Sequence, residues 1–153
     1  MKSETKRKLR KYLSAEISIE YKACLYFSCI VFFYSACLLV QKNYFASVAV
    51  LWEMVLTAYA MGYLQVYLFR NFDEADRLGK REAASILLCA CLYTGVSWLF
   101  KWFDRSAPAT LLYLAYMLLC YGCIFLCNKV KRMIDTQNLN KLLTEFKKEG
   151  KHE

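Results

Sequence analysis

The stretch TLLYLAYMLLCYGCIFLC, Thr110 to Cys127, holds no Asp, Glu, Lys or Arg in 18 residues. A helix needs about 20 predominantly apolar residues to cross a hydrocarbon core of about 30 Å. A helix of a soluble bundle would show a polar face at every turn, and this stretch does not. It therefore predicts a membrane-spanning helix.

Three more apolar runs of similar length precede this one, and hydrophobic residues make up 58% of the 153 residues. Soluble domains hold about 45–50%. We expect an all-α fold, an integral membrane four-helix bundle over residues 23–128. An amphipathic lead at 1–22 and a helical tail at 129–153 flank it. The predicted spans are residues 23–40, 48–69, 83–100 and 110–127.

Lysine and arginine are distributed unevenly between the predicted loops and ends. The lead, the middle loop Arg70–Glu82 and the tail hold nearly all of the 21, whereas the loops Gln41–Ser47 and Lys101–Ala109 hold three. The positive-inside rule then places both termini in the cytoplasm, with the protein multi-pass in the plasma membrane. The net charge of +8 reflects this pattern and attraction to anionic lipid. We expect no direct nucleic-acid binding.

Aromatic residues near the two short loops predict a belt at the outer membrane surface. They are Tyr44, Phe45, Trp98, Trp102 and Phe103.

Cysteine and histidine give no pattern typical of a metal site or an active site. All eight cysteines lie in or beside the apolar runs, where cysteine acts as a small apolar residue. Cys120 and Cys123 form a CxxC with no second pair, and the one histidine, His152, is next to last. No phosphate-binding loop or HExxH motif is present. We expect no catalytic residues, cofactor or metal, and no enzymatic activity.

Glu53 is the one acidic residue within a predicted span. A charge at mid-bilayer costs about 2.5–3.5 kcal/mol and is a candidate for function. Glu53 is five residues beyond Val48, only about 7–8 Å below the outer end. Its shallow depth favours a structural or partner-facing role, with Lys42 or Lys101 within reach. The alternative is a small oligomeric proton-coupled transporter or efflux subunit that uses Glu53.

The tail carries Leu139, Leu142, Leu143 and Phe146 at helical spacing. An earlier apolar set, Val130–Ile134, falls on a different face. The polar stretch between the two sets leaves two possibilities: the helix breaks, or one continuous helix shows two apolar faces in succession. The second apolar face must be buried against something else: lipid headgroups, the N-terminal helix or another protein.

The lead repeats the amphipathic pattern, with Leu9, Leu13 and Ile17 in one stripe. Glu16 and Glu20 fall within the same sector, which is unfavourable for a helix lying on acyl chains. We therefore expect protein contact on this face. The candidate partner-binding residues of the lead are Leu13, Glu16, Ile17 and Glu20.

Pairs of small residues at four-residue spacing predict where the helices approach one another. They are Ala58 with Gly62 and Cys91 with Gly95, and Gly122 is a further small residue in the fourth span. Short outer loops favour packing of span 1 on 2 and span 3 on 4. A homo-oligomer through the same surfaces stays possible.

Two segments resemble the DUF3021 family of small bacterial four-helix membrane proteins. They are YLFRNFDEADRLGKREAASILLC, Tyr67 to Cys89, and the tail NKVKRMIDTQNLNKLLTEFKKE. The resemblance implies a membrane protein that restrains a cytoplasmic LytTR-type DNA-binding transcription regulator, and it transfers no catalytic residues. A purely structural subunit of a larger membrane complex is a third possibility.

Overall fold

The computed structural model describes residues 2–69, 72, 75 and 78–149. Within the helices, it describes only the backbone of residues 2–5, 11, 145, 146, 148 and 149. The described chain is helical, with no strand in it. The helices are α1 (Lys2–Val40), α2 (Val48–Tyr63), α3 (Lys80–Leu99) and α4 (Ala107–Glu149), and a π-helical turn, Leu64–Leu68, extends α2. The predicted all-α class is confirmed.

All four helices are long and apolar enough to cross a membrane. The first and fourth are much longer than that requires, at 39 and 43 residues. By the helical rise they measure about 58 and 64 Å, roughly twice a hydrocarbon core. The lead and the tail are thus direct continuations of α1 and α4. The tail runs unbroken through Asp135–Asn138, so the continuous-helix alternative is the observed one.

The helices alternate in direction, which gives the bundle two unlike ends. The loop end carries the short connections at residues 41–47 and 100–106. The basic end carries the first half of α1, the connection between Leu68 and Lys80, and the last half of α4.

The main packing is of α1 on α2 and of α3 on α4, as the short loops predict. Ala58 and Gly62 lie in the first interface, both buried. A Cβ built on Gly62 would lie 3.3 Å from the carbonyl oxygen of Ile19, so a larger residue would push α2 from α1. Gly95 and Gly122 differ, because a Cβ at either would meet no described atom of another element within 4 Å.

Both helices that stop at the loop end close in the same way. Lys42 follows α1 with a φ of 56° and Lys101 follows α3 with a φ of 60°. The next residue then donates its N–H back into the helix: Asn43 to Leu38 O at 2.9 Å, and Trp102 to Ser97 O at 3.1 Å. These are Schellman motifs, in which glycine usually takes the left-handed position.

Candidate functional site

Glu53 lies near the loop end, and its hydrogen-bond partner is an aromatic residue. The Trp102 Nε1–H donates to Glu53 Oε2 at 3.1 Å. Trp102 is buried, whereas Glu53 is half-buried. The partner of Glu53 is thus an indole N–H, and not Lys42 or Lys101, the two cations that the sequence placed within its reach.

Trp102 and Phe103 differ from the predicted outer belt, because both side chains are buried. The left-handed turn at Lys101 reverses the chain and directs it over the end of the bundle. Phe103 then packs edge-on against Phe33 at a ring-centroid distance of 5.4 Å, and against Tyr113 at 5.1 Å. Other predicted belt residues are exposed: Tyr44, Phe45 and Trp98.

Serine and threonine hydroxyls in the four apolar helices are mostly bonded within their own helix. Thr57 donates to Glu53 O at 2.7 Å, and Thr94 donates to Ala90 O at 2.8 Å. Such bonds to the preceding turn are typical of serine and threonine in apolar helices. They leave few polar groups of this kind to line a path across the bundle.

Buried tyrosines form a polar core that the sequence reading did not single out. Tyr26 is in contact with Tyr121, at a centroid distance of 4.8 Å, and with Tyr93, at 6.1 Å. Gln65, in the π-helical turn, is also buried. Among the described residues, the hydroxyl of Tyr93 and both amide atoms of Gln65 have no hydrogen-bond partner. Tyrosine counts as apolar in a hydropathy pattern, so this core gave no sequence signal.

At the basic end, Glu16 joins α1 to the end of α2. The Tyr63 hydroxyl donates to Glu16 Oε2 at 3.2 Å. Tyr12, one turn earlier on α1, also bonds Glu16, and this hydrogen bond with the nearby carboxylate raises the pKa of Tyr12. Glu16 is therefore engaged within the protein, whereas Glu20 is exposed.

The lead face, defined as Leu9, Leu13 and Ile17, is exposed on α1. The packed side of the same helix carries Ile19 and Tyr26, both fully buried. The apolar stripe of the lead is thus at least half exposed among the described residues, and Ile17 also lines a cavity between α1 and α4.

The tail face, defined as Leu139, Leu142 and Leu143, is also uncovered. These side chains are 58%, 51% and 51% exposed. Phe146, the fourth predicted member, has a side chain outside the described ones. The described tail side chains beyond Arg132 are all exposed, so the second apolar face is not buried by the bundle or the lead among the described residues.

A cavity of about 460 Å³ opens between α1 and α4 at the basic end. Its walls include Lys22, Lys131, Arg132 and Asp135. Close by, Arg132 Nη2 donates to Ala75 O at 2.7 Å, which fastens α4 to the connection between α2 and α3. The residues come from distant parts of the sequence, and the sequence reading did not group them.

No group of three or more His, Cys, Asp or Glu residues is placed to hold a metal ion within the described chain. Cys29 and Cys120 are in side-chain contact between α1 and α4, and Cys123 is exposed. Both cysteines of the CxxC therefore lie on α4, and Cys29 of α1 is the thiol that contacts Cys120.

The fold defines the class of protein: an all-helical chain with four helices fit to cross a membrane, typical of a multi-pass membrane protein. Comparison with protein-family models, with curated proteins and with solved structures gives no match.

Proposed function

We propose that this protein is a non-enzymatic membrane regulator that binds and restrains a cytoplasmic LytTR-type DNA-binding transcription regulator. The docking surface is the tail face, with the lead face beside it at the basic end. The observation that carries the proposal is the exposure of Leu139, Leu142 and Leu143 on a helix continuous with a candidate span.

The sequence left three candidates for what contacts the tail face: lipid headgroups, the N-terminal helix or another protein. The geometry of the tail helps to choose among them. A helix that binds headgroups lies in the plane of the membrane surface. The tail instead continues α4 without a break, so if α4 crosses the membrane we expect its last turns to lead away from the bilayer. The lead helix leaves Leu139 and Leu142 more than half exposed. These two observations favour the third cover, a separate protein.

The chemistry of the tail face fits a helical docking mode. An amphipathic helix presents apolar anchors at i, i+3 and i+4 to a groove on its partner. Leu139, Leu142 and Leu143 have this spacing, and no fold contact depends on them. The DUF3021-like segments support a regulator as the partner.

The transporter alternative receives less support. A transport carboxylate needs access to a proton path, and Glu53 is held by the buried Trp102 at the loop end. The described serine and threonine hydroxyls nearby bond backbone carbonyls of their own helices.

The test uses the full chain in detergent, co-expressed with a LytTR-type regulator of the same genome. We expect Leu142→Glu to lower regulator co-purification by about tenfold or more, because a charge replaces an interface anchor. Phe146→Glu is the companion variant from the sequence pattern. Membrane insertion stays intact, because Leu142 makes no contact that the bundle needs.

The matched control is Gln137→Glu, which adds the same charge on the same helix but on the side away from the tail face. It should keep regulator binding at the wild-type level. Undiminished binding by the Leu142→Glu, Phe146→Glu double variant would contradict the proposal, as would equal loss in Gln137→Glu.

A further inference from the structure

The cavity at the basic end has the size of a ligand site. Its volume of about 460 Å³ falls within the roughly 300–1,000 Å³ of small-molecule pockets. Its walls come from two helices that the chain separates by about one hundred residues. The lining residues are Ser14, Ile17, Ser18, Tyr21, Lys22, Asn128, Lys131, Arg132 and Asp135.

The charges around the cavity favour an anion. Three of the lining residues are cations, Lys22, Lys131 and Arg132, and one is an acid, Asp135. Lys22 is only 3% exposed, whereas Lys131 is exposed and can be reached by an anion from outside the protein. The Arg132 bond to Ala75 O fixes the position of that side chain.

The cavity is also rich in neutral hydrogen-bond donors suited to oxyanions. The hydroxyls of Ser14, Ser18 and Tyr21 and the amide of Asn128 belong to its lining. Hydroxyl, amide, ammonium and guanidinium donors together match the several acceptor oxygens of a phosphate group.

The cavity lies at the level where the apolar runs stop. Lys22 directly precedes the run that starts at Ala23, and Asn128 directly follows the run that ends at Cys127. In a bilayer this level corresponds to the headgroups. An apolar depression of about 430 Å³ adjoins the cavity, because Lys131 and Asp135 line both. Its other walls are apolar or thiol side chains: Leu126, Cys127, Val130 and Ile134.

The geometry points to a phosphate-binding site in this cavity, one that takes the phosphodiester of an anionic lipid headgroup and seats an acyl chain in the adjoining depression. The same oxyanion chemistry is present in a free phosphate, and the test separates the two sources. The site is independent of the regulator proposal, since binding is measured on the protein alone.

The test places the purified full chain in nanodiscs of phosphatidylcholine, with or without phosphatidylglycerol. Inorganic phosphate is added to the phosphatidylcholine discs, with sodium chloride at equal ionic strength as the salt control. The readouts are the melting temperature, followed by tryptophan fluorescence, and retained phosphatidylglycerol, counted by native mass spectrometry. We expect saturable stabilisation and retention of phosphatidylglycerol by the wild type.

Two variants with matched controls assign the effect to the cavity. Lys131→Gln should weaken lipid retention about fivefold, the factor expected for one cation beside an anionic headgroup. Lys129→Gln removes the same charge from an exposed residue outside the cavity and should behave as the wild type. Ser18→Leu fills the cavity without a charge change and should reduce retention. Ser35→Leu is its exposed control on α1.

Stabilisation by phosphatidylglycerol but not by inorganic phosphate supports the lipid source, and saturable stabilisation by inorganic phosphate supports the site with a soluble source. Either result supports the site only if Lys131→Gln weakens binding and Lys129→Gln does not. The proposal is overturned if neither compound stabilises the protein, if those two variants lose retention equally, or if Ser18→Leu binds as the wild type does.

Discussion

At the loop end, Trp102 and Phe103 are buried and Glu53 has a hydrogen-bond partner, whereas at the basic end Leu139 and Leu142 are more than half exposed. Two large apolar side chains of the 100–106 connection are therefore buried at the loop end, whereas the leucines of the tail are exposed at the basic end. The loop end contributes to holding the helices together. The basic end leaves its apolar faces and a cationic cavity accessible, which is where we place function.

The largest expected effect compares two phenylalanines of the loop end. Phe103 is 3% exposed and packs on two rings, whereas Phe45 is 86% exposed. Phe103→Ala should lower the free energy of unfolding by about 3 kcal/mol or more, because truncating a buried ring leaves a cavity. Phe45→Ala should change it by less than about 0.5 kcal/mol.

Unfolding in detergent, followed by circular dichroism, measures both variants. A small loss in Phe103→Ala, similar to that in Phe45→Ala, would show that the loop end is not the stabilising end.

A smaller effect isolates the hydrogen bond between Trp102 and Glu53. Trp102→Phe keeps most of the ring but removes the donor, so we expect a loss of about 1–3 kcal/mol in the free energy of unfolding. A double-mutant cycle with Glu53→Ala measures the coupling between the two side chains.

Trp98→Phe is the matched control, because Trp98 is exposed. If the losses in the free energy of unfolding are additive, the two side chains are not coupled. That result would contradict a structural role for Glu53 and favour the transport alternative.

The smallest effect tests the left-handed turn that folds Trp102 and Phe103 inward. Lys101 has a φ of 60°, which costs a non-glycine residue about 1–2 kcal/mol. Lys101→Gly relieves this cost but raises the entropy of the unfolded chain, so we expect a net gain of about 0.5–1 kcal/mol. Lys101→Ala removes the same charge while retaining the conformational cost. Equal stability of the Gly and Ala variants would contradict this account.

The four long apolar helices could be predicted because three of the runs hold no charged residue over 18 positions and the second holds only Glu53. The packing of Ala58 and Gly62 on α1 followed from small-residue spacing. The same pattern at Gly95 was misleading as a guide to contacts within the chain, because spacing does not tell which side of a helix faces a neighbour.

The inward turn at the loop end could not be predicted, because it requires a left-handed lysine where glycine is the usual residue. The position of Glu53 near the loop end was readable from the sequence, but its partner Trp102 is 49 residues away and reaches it only through that turn. The cavity at the basic end could not be predicted from the sequence for a similar reason. In the sequence, Lys22 and Arg132 are two of the basic residues that flank the apolar runs. Only the packing of α1 beside α4 brings them together.

The unbroken length of α4 makes the tail a lever arm. Its last 22 residues, 128–149, reach about 33 Å beyond the apolar run. A tilt of about 10° at Cys127 would move the far tip sideways by about 6 Å. A slight change in how the span sits among its neighbours is thereby amplified into a shift as large as a side chain.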